Sequence, residues 1–293
     1  MGDQEVQDGP NVKRVCAAVL LLVAVAGATG APELTLPNRS TSLKFAAIGD
    51  NGTGDLPEYD VGRQMAAYHG QFPFDLVIML GDNLYGRQEP KDFVAKFEEP
   101  YRALLNAGVQ FYAALGNHDN PSQQGYPPFH MGGARYYTYS KRNVRFFALD
   151  SNVLDPKQRA WIENALQESR DDWKICYFHH PLYSDGKTHG SQADLRVVLE
   201  PLFVKYGVSV VFSGHDHVYE RIKPQKGITY FVSGAGGQVR KGDVRRSDLT
   251  AAQFDQDCSF MLIEVSGDDL FFQAVSRTGV TVDSGIVHRK SGS

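Results

Sequence analysis

The sequence predicts one α/β domain of about 260 residues, with sheets packed together and helices outside. Three observations carry that expectation. From about Ser42 to Phe212, short apolar runs alternate with segments of helical spacing. Five of the apolar runs end in the same punctuation, often a glycine and then Asp, Asn or His. Past Gly214 the pattern changes to strands only, separated by turn residues.

Leu43–Ile48 reads as a buried strand ending in Gly49-Asp50, and Val61–Tyr68 as a helix. Leu76–Leu80 is a second buried strand, before Gly81-Asp82. Phe93, Phe97, Tyr101 and Leu104 fall on one stripe, which predicts a helix over Lys91–Leu105. Val109–Leu115 is a third strand, ending in Gly116-Asn117-His118. Arg135–Tyr139 and Val144–Leu149 form a strand pair. Pro156 opens a helix that carries Trp161, Ile162 and Leu166 at helical spacing. Lys174–Phe178 is a strand before His179-His180, Asp194–Tyr206 a helix, and Val208–Phe212 a strand before Gly214-His215. Ile228–Val232, Phe260–Val265, Leu270–Val275 and Val280–Val287 are the later strands. No repeat and no Pro/Gly/Ser-rich linker divides the chain.

The N-terminus stands apart. Lys13 and Arg14 precede an apolar run of about twelve residues, Val15–Ala26, followed by Gly27, Ala28, Thr29 and Gly30. That is long enough for the core of a secretory signal and short for a membrane span. Residues 1–30 are expected to be a leader cut near Gly30, leaving 31–293 as a single catalytic domain. Asp3, Glu5 and Asp8 make the segment before the apolar run unusually acidic, so an uncleaved anchor is the competing expectation. A cleaved leader implies the secretory pathway, with a secreted or lysosomal/vacuolar destination.

The chain has 293 residues and a net charge of −4, from 30 basic and 34 acidic residues. No broad basic field appears, which argues against nucleic acid as a partner. Phosphate-bearing substrates stay compatible, because a metal site can supply a local positive field. Outside the leader, Cys176 and Cys258 each sit in an apolar run and read as buried thiols, with a bridge between them as the alternative. Asn38-Arg39-Ser40 and Asn51-Gly52-Thr53 are glycosylation sequons, and the second falls inside a motif that makes its use doubtful.

The punctuated strand ends carry the chemistry. In α/β sheets ligands gather beyond the carboxyl ends of strands, so residues there converge from distant positions. Singly, Gly49-Asp50 and Gly81-Asp82-Asn83 are more often turns, and His179-His180 could be satisfied core histidines. Gly214-His215-Asp216-His217 is the strongest signal, since two histidines at i and i+2 beyond a buried strand are costly without a metal. Five such ends in order point to one site.

Asp50-Asn51-Gly52, Gly81-Asp82-Asn83-Leu84-Tyr85, Gly116-Asn117-His118-Asp119, Cys176-Tyr177-Phe178-His179 and Gly214-His215-Asp216-His217 resemble the five motif blocks of the calcineurin-like metallophosphoesterases. Tyr85 in the second block narrows the resemblance to purple acid phosphatases of the short, single-domain, tartrate-resistant type. Ser233-Gly234-Ala235-Gly236-Gly237 is also similar to that family. The resemblance implies two packed central β-sheets flanked by helices in four layers. It implies that Asp50, Asp82, Tyr85 and His217 hold Fe3+, with Asp82 bridging to a divalent ion (Fe2+, Zn2+ or Mn2+) completed by Asn117, His179 and His215. Carboxylates and a phenolate suit a ferric ion, while imidazoles and an amide oxygen suit a divalent one. Cys176 stands where the family usually has valine, and is expected to point into the core.

The activity so implied is acid hydrolysis of phosphomonoesters, small molecules or phosphoproteins, by a metal-bound hydroxide. His118 and His189 are the expected proton donors, and Asn117, His118, His180 and His189 the substrate contacts. Thr188 precedes His189 where the mammalian type often has an acidic residue. An imidazolium at His189 would abound below its reference pKa of ~6.5, which predicts an acidic optimum. The nearest alternative is a phosphodiesterase or pyrophosphatase on the same core, because the loops Asn120–Arg135 and Arg240–Gln256 vary freely. A second is a non-catalytic, membrane-anchored scaffold of the same fold, against which the complete ligand set argues.

Overall fold

In the computed structural model the described residues are 1–2, 33–245 and 247–289. The described residues from Glu33 onward fall in one compact unit. The expected leader, its cut near Gly30 and Cys16 lie outside the described residues. No helix among the described residues is long and apolar enough to cross a membrane.

The first strand shows how the layers arise. β1 (Leu43–Ile48) is buried on both faces, as its unbroken apolar run requires. Successive side chains point to opposite faces. Phe45 and Ala47 enter the core between two sheets, while Ala46 and Ile48 enter a core beneath helices. Each large apolar side chain so buried contributes roughly 1.5–3 kcal/mol.

β2 (Leu76–Met79) and β3 (Gln110–Ala113) run parallel to β1. β11 (Ser259–Ser266), β12 (Asp269–Ser276) and β13 (Thr281–His288) complete the first sheet, in the order β13-β12-β11-β1-β2-β3. The second sheet has seven strands. They are β4 (Tyr137–Lys141), β5 (Val144–Ala148), β6 (Trp173–Tyr177), β7 (Val210–Ser213), β8 (Tyr219–Gln225), β9 (Ile228–Ser233) and β10 (Thr250–Phe254), in the order β10-β8-β9-β7-β6-β5-β4. β5, β6, β7 and β9 are parallel. Crossovers pass through helices, as parallel strands require. α1 (Leu56–His69) joins β1 to β2; α2 (Pro90–Phe93) and α3 (Arg102–Asn106) lie between β2 and β3; α4 (Pro156–Glu168) and α5 (Ala193–Tyr206) link β5, β6 and β7. The two packed sheets with flanking helices match the expected architecture.

Two local expectations need correction. The helix predicted over Lys91–Leu105 is broken: α2 passes into a π turn at Val94–Glu98 and then, beyond Pro100, into α3. Pro100 has no N–H for the next helical bond, and the ladder widens so that the Glu99 N–H donates to the Val94 carbonyl at 2.9 Å. Phe97, Tyr101 and Leu104 are still buried as one stripe. β8 and β10 are not expected from the sequence; β10 lies within the segment read as the loop Arg240–Gln256, where it pairs with β8 through an irregular register. Cys176 and Cys258 are free, buried and in different cores, so they are not bridged. Asn51 is fully buried, which closes its sequon in the folded chain, whereas Asn38 is exposed.

Candidate metal centre

Five of the parallel strands run directly into expected ligands. Asp50 follows β1, Asp82 follows β2, Asn117 follows β3, His179 follows β6 and His215 follows β7. The backbone turns sharply there. Asp50, Asp82 and His215 have φ of 54°, 51° and 71°, in the left-handed region that L residues seldom enter. Such strain clusters where a site over-determines the chain. Glycine leaves the space: a Cβ on Gly116 would lie 2.1 Å from Asp82 Oδ1, and one on Gly214 would lie 2.4 Å from Asp50 Oδ2.

The seven expected ligands fall into two touching groups. Tyr85 Oη lies 3.0 Å from Asp50 Oδ1 and 3.1 Å from His217 Nε2. His217 Nε2 is 3.4 Å from Asp50 Oδ1. In the second group, His179 Nε2 lies 3.0 Å from Asn117 Oδ1, 3.1 Å from His215 Nδ1 and 3.5 Å from Asp82 Oδ2. Asp82 interacts with both Tyr85 and His179 and so stands between the groups.

These donors fit a metal pair. His179 Nδ1 donates to the Leu80 carbonyl at 3.0 Å, which turns Nε2 inward as the coordinating nitrogen. Nε2 of His179, Nδ1 of His215 and Oδ1 of Asn117 are then lone-pair donors facing one another, and a cation between them satisfies all three. Burial would lower the His179 pKa, but the Asp50 and Asp82 carboxylates outweigh it and raise it to about 9. A proton thus takes the place of the cation when no metal is bound. Asp82 is held below the ordinary carboxylate range: burial opposes this, and its contact with His179 prevails. His215 is lowered to about 2 by burial and by the His179 charge. Tyr85 is pushed far above the ordinary phenol by burial and by Asp50 and Asp82. Only a strongly acidic cation would hold it as phenolate beside two carboxylates.

Further groups fix the loops. The His118 N–H donates to Asp82 Oδ1 at 2.9 Å, and the His215 N–H to Asp50 Oδ2 at 2.8 Å. Asp119 accepts the N–H groups of Gly116, Asn83 and Leu84 at 2.8, 3.1 and 3.0 Å, tying the second motif block to the third. Burial and the Asp82 charge raise Asp119 to about 6.

The three histidines expected to touch substrate surround this centre. His118 is exposed, with its ring 5.0 Å from that of Tyr85. His189 lies 4.0 Å ring to ring from His215, and His180 lies 4.4 Å from it. Sequence reasoning missed Ser151, whose Oγ sits 2.8 Å from His180 Nδ1 and accepts the His180 N–H at 3.1 Å. Nothing local in the sequence marks that serine. Burial and the His179 charge lower His180 to about 4, so it is neutral near neutrality. A cavity of about 460 Å³ opens beside Asn117 and His180, lined also by Arg135, Asp150, Asn152 and Gln192. His189 departs from the expectation of an ordinary imidazolium. Burial, then the Arg240 charge, lower its pKa.

Residues 43–219, more than half of the chain, match the calcineurin-like phosphoesterase family. The chain is 28% identical over 239 residues to tartrate-resistant acid phosphatase type 5 of Oryctolagus cuniculus, covering 67% of this chain and 73% of that protein. Among solved structures, it is similar to a purple acid phosphatase, PPD1, from seeds of Lupinus luteus, with a TM-score of 0.70, 20% identity, and coverage of 87% of this chain and 55% of that one. It is also similar to GAP50, described as the anchor in the inner membrane complex of Plasmodium, with a TM-score of 0.74, 18% identity, and coverage of 85% and 90%. At those identities the structural likenesses show the fold alone.

Proposed function

The chain belongs to the calcineurin-like phosphoesterase family, and from that premise we propose that it is an acid phosphatase that hydrolyses phosphomonoesters with Fe3+ and a divalent ion. One observation carries this: seven donors converge as two sets that share Asp82. Asp50, Tyr85 and His217 would hold Fe3+, and Asn117, His179 and His215 the divalent ion, Fe2+, Zn2+ or Mn2+. The first set contains hard anionic oxygens, the second imidazoles and an amide oxygen. The likeness to tartrate-resistant acid phosphatase type 5 supports the same assignment.

When bound, such a pair supplies Lewis acidity toward phosphate oxygens and an activated water. The chain's own groups do the rest. Asp82, held by the His118 N–H, keeps the two halves in register. Asn117 and His180 line the cavity beside the centre, where the alcohol part of a monoester fits. His180, neutral and held at Nδ1 by the Ser151 hydroxyl, turns a ring nitrogen toward that cavity when the hydroxyl donates and Nε2 carries the proton. His118 at the mouth and His189 over His215 offer N–H groups to the leaving oxygen. Because His189 is lowered, its imidazolium form is populated at more acid pH than the ordinary ~6.5.

The same proposal includes a location in the secretory pathway, secreted or lysosomal/vacuolar, and action on small phosphomonoesters or phosphoproteins without nucleic acid. The apolar run Val15–Ala26 after Lys13 and Arg14 supports that location. Hydrolysis of a chromogenic phosphomonoester and of the matching diester, measured from pH 4 to 8 (roughly the range over which histidine titrates), tests the proposal. The monoester should be favoured with a maximum below neutrality. A preferred diester, or a maximum above neutrality, contradicts it.

A further inference from the structure

Arg240 is a cation that the metal donors leave unexplained. Its N–H donates to the carbonyl of His217 at 3.0 Å, so its loop starts directly on a proposed ligand. Its Nη1 is buried with no hydrogen-bond partner among the described residues. The nearby acid of that loop is already committed: Asp243 accepts the Thr188 hydroxyl at 2.7 Å, and its carbonyl accepts the Lys187 N–H at 2.8 Å. A bridge between Gly186 and Val244 closes the same seam. The loop that carries Arg240 is therefore stitched to the one that carries His189, and His189 lies on His215.

The bond from Arg240 to the His217 carbonyl and the seam to the loop of His189 bring this residue to the edge of the centre. A buried donor on a fixed charge, left without an acceptor, is costly. It is retained where an anion completes it, and the planar guanidinium matches phosphate geometry.

We propose that Arg240 binds a phosphate oxygen of the substrate beside His189, as a substrate-binding residue additional to Asn117, His118, His180 and His189. This rests on the phosphoesterase proposal above and deepens it. The Thr188 hydroxyl, through Asp243, holds the same seam between the two loops.

The test is calorimetric binding of inorganic phosphate to the metal-loaded full chain, with metal content measured in each variant. Arg240→Ala should weaken phosphate binding about 10- to 100-fold, the loss of a charge-assisted hydrogen bond. Arg240→Lys should recover part of that loss. Lys241→Ala, an exposed neighbour, should change it less than about 3-fold, as a screened surface charge does. All variants should keep the wild-type metal content, and KM should rise more than kcat falls in Arg240→Ala. Unchanged phosphate affinity in Arg240→Ala overturns the assignment, and so does loss of metal in that variant, which would make Arg240 a support for His217. A wild-type chain that carries metal yet binds no phosphate overturns the phosphoesterase proposal and this one with it.

Discussion

His179 Nε2 lies 3.0 Å from Asn117 Oδ1, with His215 Nδ1 at 3.1 Å on another side. Three donors face one point, and a proton on His179, raised to about 9, meets them when metal is absent. Metal binding must then displace that proton. At pH 7 each divalent ion bound should release about one proton, measurable by calorimetry in buffers of different ionisation enthalpy. His179→Gln should remove the divalent ion and cut kcat by more than about 100-fold, beyond the effect of losing a supporting partner. Proton-neutral binding would show that His179 is not a ligand.

Gly116→Ala places a methyl group 2.1 Å from Asp82 Oδ1 and 2.2 Å from its amide nitrogen. Real Cβ contacts do not come so close, so Asp82 must move. Both donor sets lose their shared carboxylate. Metal content should fall for both ions, and kcat/KM by roughly 100-fold or more, as for a misplaced reacting geometry. Full metal content in this variant would contradict the sharing of Asp82.

His189 gives the pH dependence a sign. A lowered imidazole is charged only below its shifted pKa, so a donor role fades as pH rises through a value under ~6.5. The alkaline limb of kcat should lie below that value. His189→Asn should flatten it while leaving metal content unchanged. A limb that persists unaltered assigns the proton to another group, with His118 the next to test.

Stability carries its own pH signature, behind the loop of His215 and His217. The Ser184 hydroxyl lies 2.6 Å from Asp216 Oδ2 and 2.7 Å from Glu220 Oε2, one proton between two buried carboxyls. Burial raises Glu220 from 4.5 to about 7. Its folded pKa is above its unfolded one, so its contribution is complete below about 4.5 and is lost as pH rises through about 7. The effect is on the order of 3 kcal/mol at most. Thermal unfolding should show Tm falling across that window, and Glu220→Gln should flatten the fall. A variant with the same slope as the wild type would assign it elsewhere.

The gathering of strand ends was legible because an apolar run long enough to be buried, often a glycine, and then Asp, Asn or His recur five times in order. The ligand roles of Asp82, Asn117 and His215 were implied only by the family resemblance. Tyr85 and His217 follow within three residues of such ends. Ser151 and Arg240 were not legible. Each acts through an approach between separate loops, Ser151 to His180 and Arg240 toward His189, and neither is marked by periodicity. The break in the predicted helix at Pro100 was visible as a proline, but the aromatic stripe outweighed it. The stripe is indeed buried, although the ladder beneath it is not continuous. β10 lacked any signal because an edge strand of Thr250-Ala251-Ala252-Gln253-Phe254 has little apolar alternation to read.

The ferric assignment depends most on Tyr85, which lies 3.0 Å from Asp50 Oδ1 and 3.1 Å from His217 Nε2. Burial and two carboxylates hold its proton firmly, so a phenolate there reports a strongly acidic cation. The decisive measurement is metal analysis together with the visible spectrum of the purified chain and of Tyr85→Phe. Two metals per chain are expected, one of them iron, with a visible band that Tyr85→Phe abolishes while the fold is kept. A colourless wild type that holds only divalent ions, or a band that survives Tyr85→Phe, would contradict the assignment.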